Sequence, residues 1–140
     1  MDGDGDLDLV FGNDGPTRIF RNNGDANFSL ARTFPSQSTN SIGLGDMDAD
    51  GDLDIAFGNA YENRVYRNEG NLFFSLHWEF TNYRSYTTGV AWGNADLYGG
   101  LDLVFVNRCI RFDYLPPIID FCEGDINDGT RVFLNEGESF

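Results

Sequence analysis

At 140 residues, 41% hydrophobic and 15% aromatic, the chain is long enough to bury a core, and its 17 glycines favour turn-rich β structure with almost no helix. Nine basic against 23 acidic residues leave a formal charge of −14, which repels phosphate backbones and argues against a nucleic-acid partner. No apolar run approaches the roughly 18 residues of a bilayer-spanning helix, so membrane insertion is not expected, and no basic stretch followed by an apolar core opens the sequence.

The chain opens on Asp2-Gly3-Asp4-Gly5-Asp6-Leu7-Asp8, which runs into Leu9-Val10-Phe11-Gly12-Asn13. The pattern returns as Asp48-Ala49-Asp50-Gly51-Asp52-Leu53-Asp54 followed by Ile55-Ala56-Phe57-Gly58-Asn59, and more weakly between Asp96 and Asn107. A second motif, Thr17-Arg18-Ile19-Phe20-Arg21-Asn22-Asn23-Gly24, recurs from Asn63 to Gly70 and from Thr130 to Gly137. Asp8, Asp54 and Asp102 set the period at 46 and then 48 residues, giving repeats of about 1–45, 46–93 and 94–140 in one segment.

Each period reads as four short strands, A to D. In the second, strand A is about 41–45, an aspartate loop follows, and strands B, C and D are about 53–58, 64–68 and 72–80. Four strands per period is the pattern of a β-propeller blade. The predicted fold is all-β: about three four-stranded antiparallel blades in a partial propeller, the first lacking strand A and the last lacking strand D. Three blades do not close a ring of about four to eight. Further blades come from a longer chain or from self-association. Head-to-tail joining omits strands D and A at each junction, and Met1 aligns with Met47 inside a loop, so a fragment of a longer chain is the preferred expectation.

Eleven of the 23 acidic residues are aspartates in the three loops, which makes a cation the natural partner. Asp46, Asp48, Asp50 and Asp54 place carboxylates at positions 1, 3, 5 and 9 of a tight loop, and Asp52 offers a carbonyl at position 7. Calcium takes about six to eight oxygens, and alternate positions of a curling loop converge on one point. Gly51 permits the sharp turn. A solvated Asp-Gly turn is the plainer reading of one such loop, but repetition in register favours calcium. The first loop offers Asp2, Asp4, Asp6 and Asp8 without a residue at position 1. The third offers Asn94, Asp96 and Asp102, with Tyr98 in place of a ligand, and reads as weak or empty.

The stretch from Gly45-Asp46 to Gly58-Asn59, with Phe57-Gly58 closing strand B, resembles the FG-GAP repeat of integrin α-subunit propellers and the related bacterial VCBS-type repeats. The likeness covers nearly the whole chain apart from one insertion. It departs where Gly58-Asn59 stands in the family's "GAP" segment, which leaves fold and calcium implied but not an integrin-type ligand. The resemblance implies an extracellular or cell-surface protein. It also implies calcium loops on one face of the disc as structural staples, and partners on the other face, at the B–C and D–A loops.

The insertion lies in the third B–C turn. Asn13 to Arg18 and Asn59 to Arg64 are five residues apart, whereas Asn107 to Arg131 is 24, so residues 108–129 form an added loop. It holds Cys109 and Cys122, expected as a disulfide in an oxidising compartment or else as two buried thiols. Phe112, Tyr114 and Phe121 of this loop, with Tyr83, Arg84 and Tyr86 of a D–A segment, are candidate contacts for a protein or glycan partner; the alternative is that these aromatics pack between blades. Arg18, Arg64 and Arg131 recur at one strand-C position, which suits a structural role. The lone His77 has no neighbouring nucleophile, and there is no Ser-His-Asp set, zinc cluster or phosphate loop, so no enzyme is expected. The expected function is a calcium-stabilised propeller segment that binds protein or glycan; the alternative is the non-catalytic scaffold of a secreted polysaccharide-active enzyme.

Overall fold

The computed structural model describes residues 1–81, 85–95, 99–109 and 131–133. Asp96, Tyr98, Tyr83, Arg84, Phe112, Tyr114, Phe121, Cys122 and the side chain of Cys109 lie outside the described residues. The described chain has no helix and folds into three antiparallel sheets, none of them closed. The first runs in the order β1 (Leu9–Phe11), β2 (Pro16–Asn22), β3 (Phe28–Ser36). The second is β4 (Thr39–Gly45), β5 (Asp54–Asn59), β6 (Glu62–Asn68), β7 (Phe74–Thr81). In the third, β9 (Asp102–Cys109) lies between β8 (Ser85–Gly93) and β10 (Arg131–Phe133). This is the partial, propeller-like all-β fold that the repeats predict.

Strand alternation gives each sheet two apolar faces, and the repeats place them in register. Leu9 faces Phe20, Ile55 faces Tyr66 and Leu103 faces Phe133 across the central pair of strands. One residue along, on the opposite face, Val10 pairs with Ile19, Ala56 with Val65 and Val104 with Val132. We call these the leading and trailing faces. The trailing face of the first sheet packs on the leading face of the second in a cluster of Ile19, Phe34, Ile55, Phe57, Tyr66, Leu72 and Phe74. The next junction repeats it with Met47, Ala56, Val65, Leu103 and Phe105, flanked by Trp78 and Phe133. Even the rings recur: Phe34 stands edge-on to Tyr66, 4.8 Å between centroids, and Phe80 meets Phe133 at 6.0 Å.

Two further repeated devices lie in these junctions. A Cβ on Gly58 would stand 2.6 Å from Thr87 Cγ2 and from Val90 Cγ2, and one on Gly12 would stand 2.9 Å from Thr39 Cγ2. The glycine of each Phe-Gly pair therefore lets strand A of the next sheet come close. Beside it, buried hydroxyls and amides cross the junction: Thr17 donates to Thr39, which donates to Asn59. Thr87 likewise reaches both Asn63 and Asn107. Pairing of these hydroxyls and amides offsets the desolvation that their burial costs.

The topology separates two ends. The first two aspartate loops precede β1 and β5 at one end of the strands, next to the β2–β3 and β6–β7 turns. The β5–β6 turn and the connection into β4 lie at the other end, about 20 Å away along a six-residue strand.

Candidate metal centre

The loop between β4 and β5 is wound by its own carboxylates. The Asp50 N–H donates to Asp46 Oδ1 at 3.1 Å and to Asp48 Oδ1 at 3.3 Å, Gly51 N–H to Asp46 Oδ2 at 3.0 Å, and Asp52 N–H to Asp50 Oδ1 at 2.9 Å. Ala49 and Gly51 take left-handed φ of 60° and 95° to make the coil. The first loop repeats it: Gly3 and Gly5 have φ of 82° and 93°, Asp4 N–H donates to Asp2 and Asp6 N–H to Asp4. That backbone bond from Asp6 is the main reason Asp4 ionises more readily than an ordinary aspartate.

The winding brings one oxygen from each of Asp46, Asp48 and Asp50 within 4.8 Å of the others. Calcium–oxygen distances are about 2.4 Å, so two ligands of one ion stand at most about 4.8 Å apart. The trio therefore fits a hard cation. Among the described residues it is the one such group of three acidic, histidine or cysteine side chains. Nearby, Arg67 pairs with Asp48 at 2.8 Å, and in the first loop Arg21 pairs with Asp2 at 2.7 Å. One arginine thus stands against three or four carboxylates in each loop.

Asp54, the position-9 residue, makes a second set of contacts. It is fully buried, and its two oxygens accept the N–H of Asn68 and of Met47, each at 2.8 Å. Asp8 accepts from Asn22 N–H at 2.9 Å, with the terminal ammonium of Met1 3.4 Å away where Met47 N–H stands in the second loop. Buried Asp102 takes Ala95 N–H at the same place. These aspartates clamp loop to strand. Burial pushes the Asp54 carboxyl up to about 6, and the charges of Asp48 and Asp50 add to the rise against its two backbone hydrogen bonds.

Sequence reasoning missed the partner in this clamp. Besides its N–H, Asn68 uses its side chain: the amide donates to Leu53 O at 3.3 Å and to Met1 O at 3.1 Å, and its oxygen accepts Gly70 N–H at 3.2 Å. Asn22 repeats this with Leu7 O and Gly24 N–H. One asparagine thus ties the aspartate loop to the β6–β7 turn, where Gly70, Asn71 and Leu72 all hold positive φ. The available signal was the asparagine's recurrence two residues before glycine in every copy of the second motif. Asn94 lies just past β8, beside the loop that leads to Asp102.

Loop coil, buried position-9 aspartate and Phe-Gly strand end recur together from residue 1 to the end of β5, and a family model matches residues 1–57 over that same span. This stretch is similar to the FG-GAP-like repeat. No curated protein and no solved structure matches the chain significantly. The FG-GAP-like repeat therefore stands on the family model together with the internal repetition of the fold.

At the opposite end, a groove of about 520 Å³ lies between the first two sheets, lined by Pro35, Gln37, Asn59, Tyr61, Glu62 and Arg64 among others. Exposed Tyr61 stands edge-on to Tyr86, with centroids 6.4 Å apart. Tyr86 is thus the one proposed partner contact that the described residues place. Arg64 is held by Glu62 and Glu79, at 2.7 and 2.5 Å.

Proposed function

We propose that the FG-GAP-like segment binds calcium in its second aspartate loop and uses the ion as a structural staple of a non-catalytic binding module. The convergence of Asp46, Asp48 and Asp50 carries this reading. Their carboxylates would hold the ion, with the Asp52 carbonyl completing the oxygen set. Bound calcium supplies two positive charges to a loop that otherwise has Arg67 alone against its repulsion. Asp54 then acts from behind, keeping the loop against β6 through Asn68. The third loop would be weaker, since Asn94 stands at its position 1.

The module's partner, a protein or a glycan outside the cell, would meet the other end, where Tyr61 and Tyr86 stand beside the polar groove. Aromatic rings with neighbouring amides and an ion pair suit such recognition. Isothermal titration with calcium should show binding that Asp48→Asn weakens at least tenfold, with Asp4→Asn leaving the main site intact. Equal loss from both substitutions, or no heat of binding, overturns the assignment. Tyr61→Ala should abolish capture on a glycan or surface-protein array without lowering calcium affinity.

A further inference from the structure

Arg21 on β2 and Arg67 on β6 occupy equivalent places in their repeats, and each reaches the position-3 aspartate of its loop, Asp2 at 2.7 Å and Asp48 at 2.8 Å. They differ in the second contact. Arg21 leans further into its loop, 3.6 Å from Asp4, whereas Arg67 turns to Glu69 of the β6–β7 turn, also at 3.6 Å. The residue two places past each arginine accounts for the difference. In the first repeat it is Asn23, a neutral amide that donates to Asn27 O and to Ser29 Oγ, both at 3.0 Å. In the second it is Glu69, where the Ser75 hydroxyl donates to Oε1 at 2.7 Å and Oε2 faces Arg67. The hold on Asp48 is one of charge: Arg67 Nε is buried and has no hydrogen-bond partner among the described residues, so its 2.8 Å approach to Asp48 Oδ2 lacks hydrogen-bond alignment.

We propose, on the strength of calcium binding in the second loop, that Arg67 is a placeholder cation there and that Glu69 takes it up when calcium loads, so the pair sets the loop's calcium affinity. Without metal, the carboxylates of Asp46, Asp48 and Asp50 converge and repel, and a guanidinium at Asp48 relieves part of that repulsion. Calcium does the same with two charges and repels the guanidinium in turn, so loading the loop requires Arg67 to be displaced. Glu69 eases the displacement: it already lies beside Arg67, and Ser75 holds its carboxylate in place. The loop therefore fills at a higher calcium level than its carboxylates alone would set, and its coil stays wound below that level. An arginine that merely aimed Asp48 at the ion would have the opposite sign, weakening calcium binding when removed.

Isothermal titration of the 140-residue chain with calcium at about 0.15 M salt, where distant charges are screened, tests this, with melting in chelator excess as a second readout. The side chains of Arg67 and Glu69 are 40% and 37% exposed, so their variants should keep the parent's circular dichroism. Arg67→Gln should bind calcium about tenfold more tightly, since one positive charge leaves the neighbourhood of two, and should melt below the parent in chelator. Arg67→Lys keeps the charge and should stay within about threefold of the parent's affinity. Glu69→Gln should weaken binding about threefold, and should lose that effect in the Arg67→Gln background because the two side chains act as one unit. A parent with no heat of calcium binding overturns calcium in the loop and the placeholder together. A parent that binds, with Arg67→Gln no tighter, Arg67→Lys as tight as Arg67→Gln, or Glu69→Gln equally costly in both backgrounds, overturns the placeholder alone.

Discussion

The first and second aspartate loops share a coil, a clamp and a flanking arginine, and they differ in two respects. The leading face of the second loop's sheet is covered where that of the first is exposed, and the clamp aspartates have different donors. In the second loop the clamp aspartate is bound through both oxygens by neutral backbone N–H groups. In the first, one of those donors is the charged terminus of Met1, 3.4 Å away. The difference separates two functions that the sequence writes into one motif. Positions 1, 3 and 5 bring three carboxylates within 4.8 Å of one another. Position 9 fixes the loop to the sheet, and does so in both loops.

The comparison breaks most sharply at that ninth position. Asp54→Ala leaves two buried N–H groups without acceptors and should cost about 3 kcal/mol in urea unfolding, whereas Asp8→Ala, with one such N–H, should cost about 1 to 2 kcal/mol. Equal costs would mean that the second clamp is no more buried than the first. Next come the Phe-Gly glycines. Gly58→Ala forces a methyl to within 2.6 Å of Thr87 and Val90, and Gly12→Ala to within 2.9 Å of Thr39. Losses of about 2 and 1 kcal/mol are expected from overpacking, read as denaturation midpoints. The smallest difference is between Gly51→Ala and Gly5→Ala. Both hold left-handed φ with open space around them, so each should cost about 1 kcal/mol and the two should agree.

Acidity sharpens the same contrast. The Asp54 carboxyl lies near 6 in the fold against 3.8 for the free side chain, so its ionisation opposes folding. That group's contribution is fully present below about pH 3.8 and is lost as pH rises through 6. Metal-free protein should therefore melt higher at pH 5 than at pH 7.5, an effect that Asp54→Asn removes and Asp8→Asn does not. With calcium the order should reverse, since the ligands must be ionised to bind.

Much of this was legible in the residues. The 46- and 48-residue spacing of Asp8, Asp54 and Asp102 set the repeat, and the recurrence of Leu9 to Asn13 as Ile55 to Asn59 after each aspartate loop located strand B. The second sheet's strands came out as β4 to β7 with ends moved by one to two residues. What escaped were roles that exist only once strands from different repeats are side by side. Asn22 and Asn68 were visible as repeated letters, but their work depends on strand C ending beside the aspartate loop. Gly58 read as part of a family motif; that it clears a path for Thr87 and Val90 is a fact of the next sheet. Arg18, Arg64 and Arg131 drew notice as a set, yet Arg21 and Arg67, three residues further along the first two of those strands, are the arginines that meet the aspartates.

The central claim is that the aspartate loops are metal staples, and thermal unfolding with calcium raised from chelator excess to millimolar, with magnesium as control, tests it most directly. Binding to the folded state alone at about a hundredfold over Kd adds about 2.7 kcal/mol, a rise of roughly 10 °C for a chain of this size. The account predicts such a rise, specific to calcium and lost in Asp46→Asn. An unchanged midpoint, or one raised equally by magnesium, would contradict it and leave the loops as acidic turns held by their own backbone.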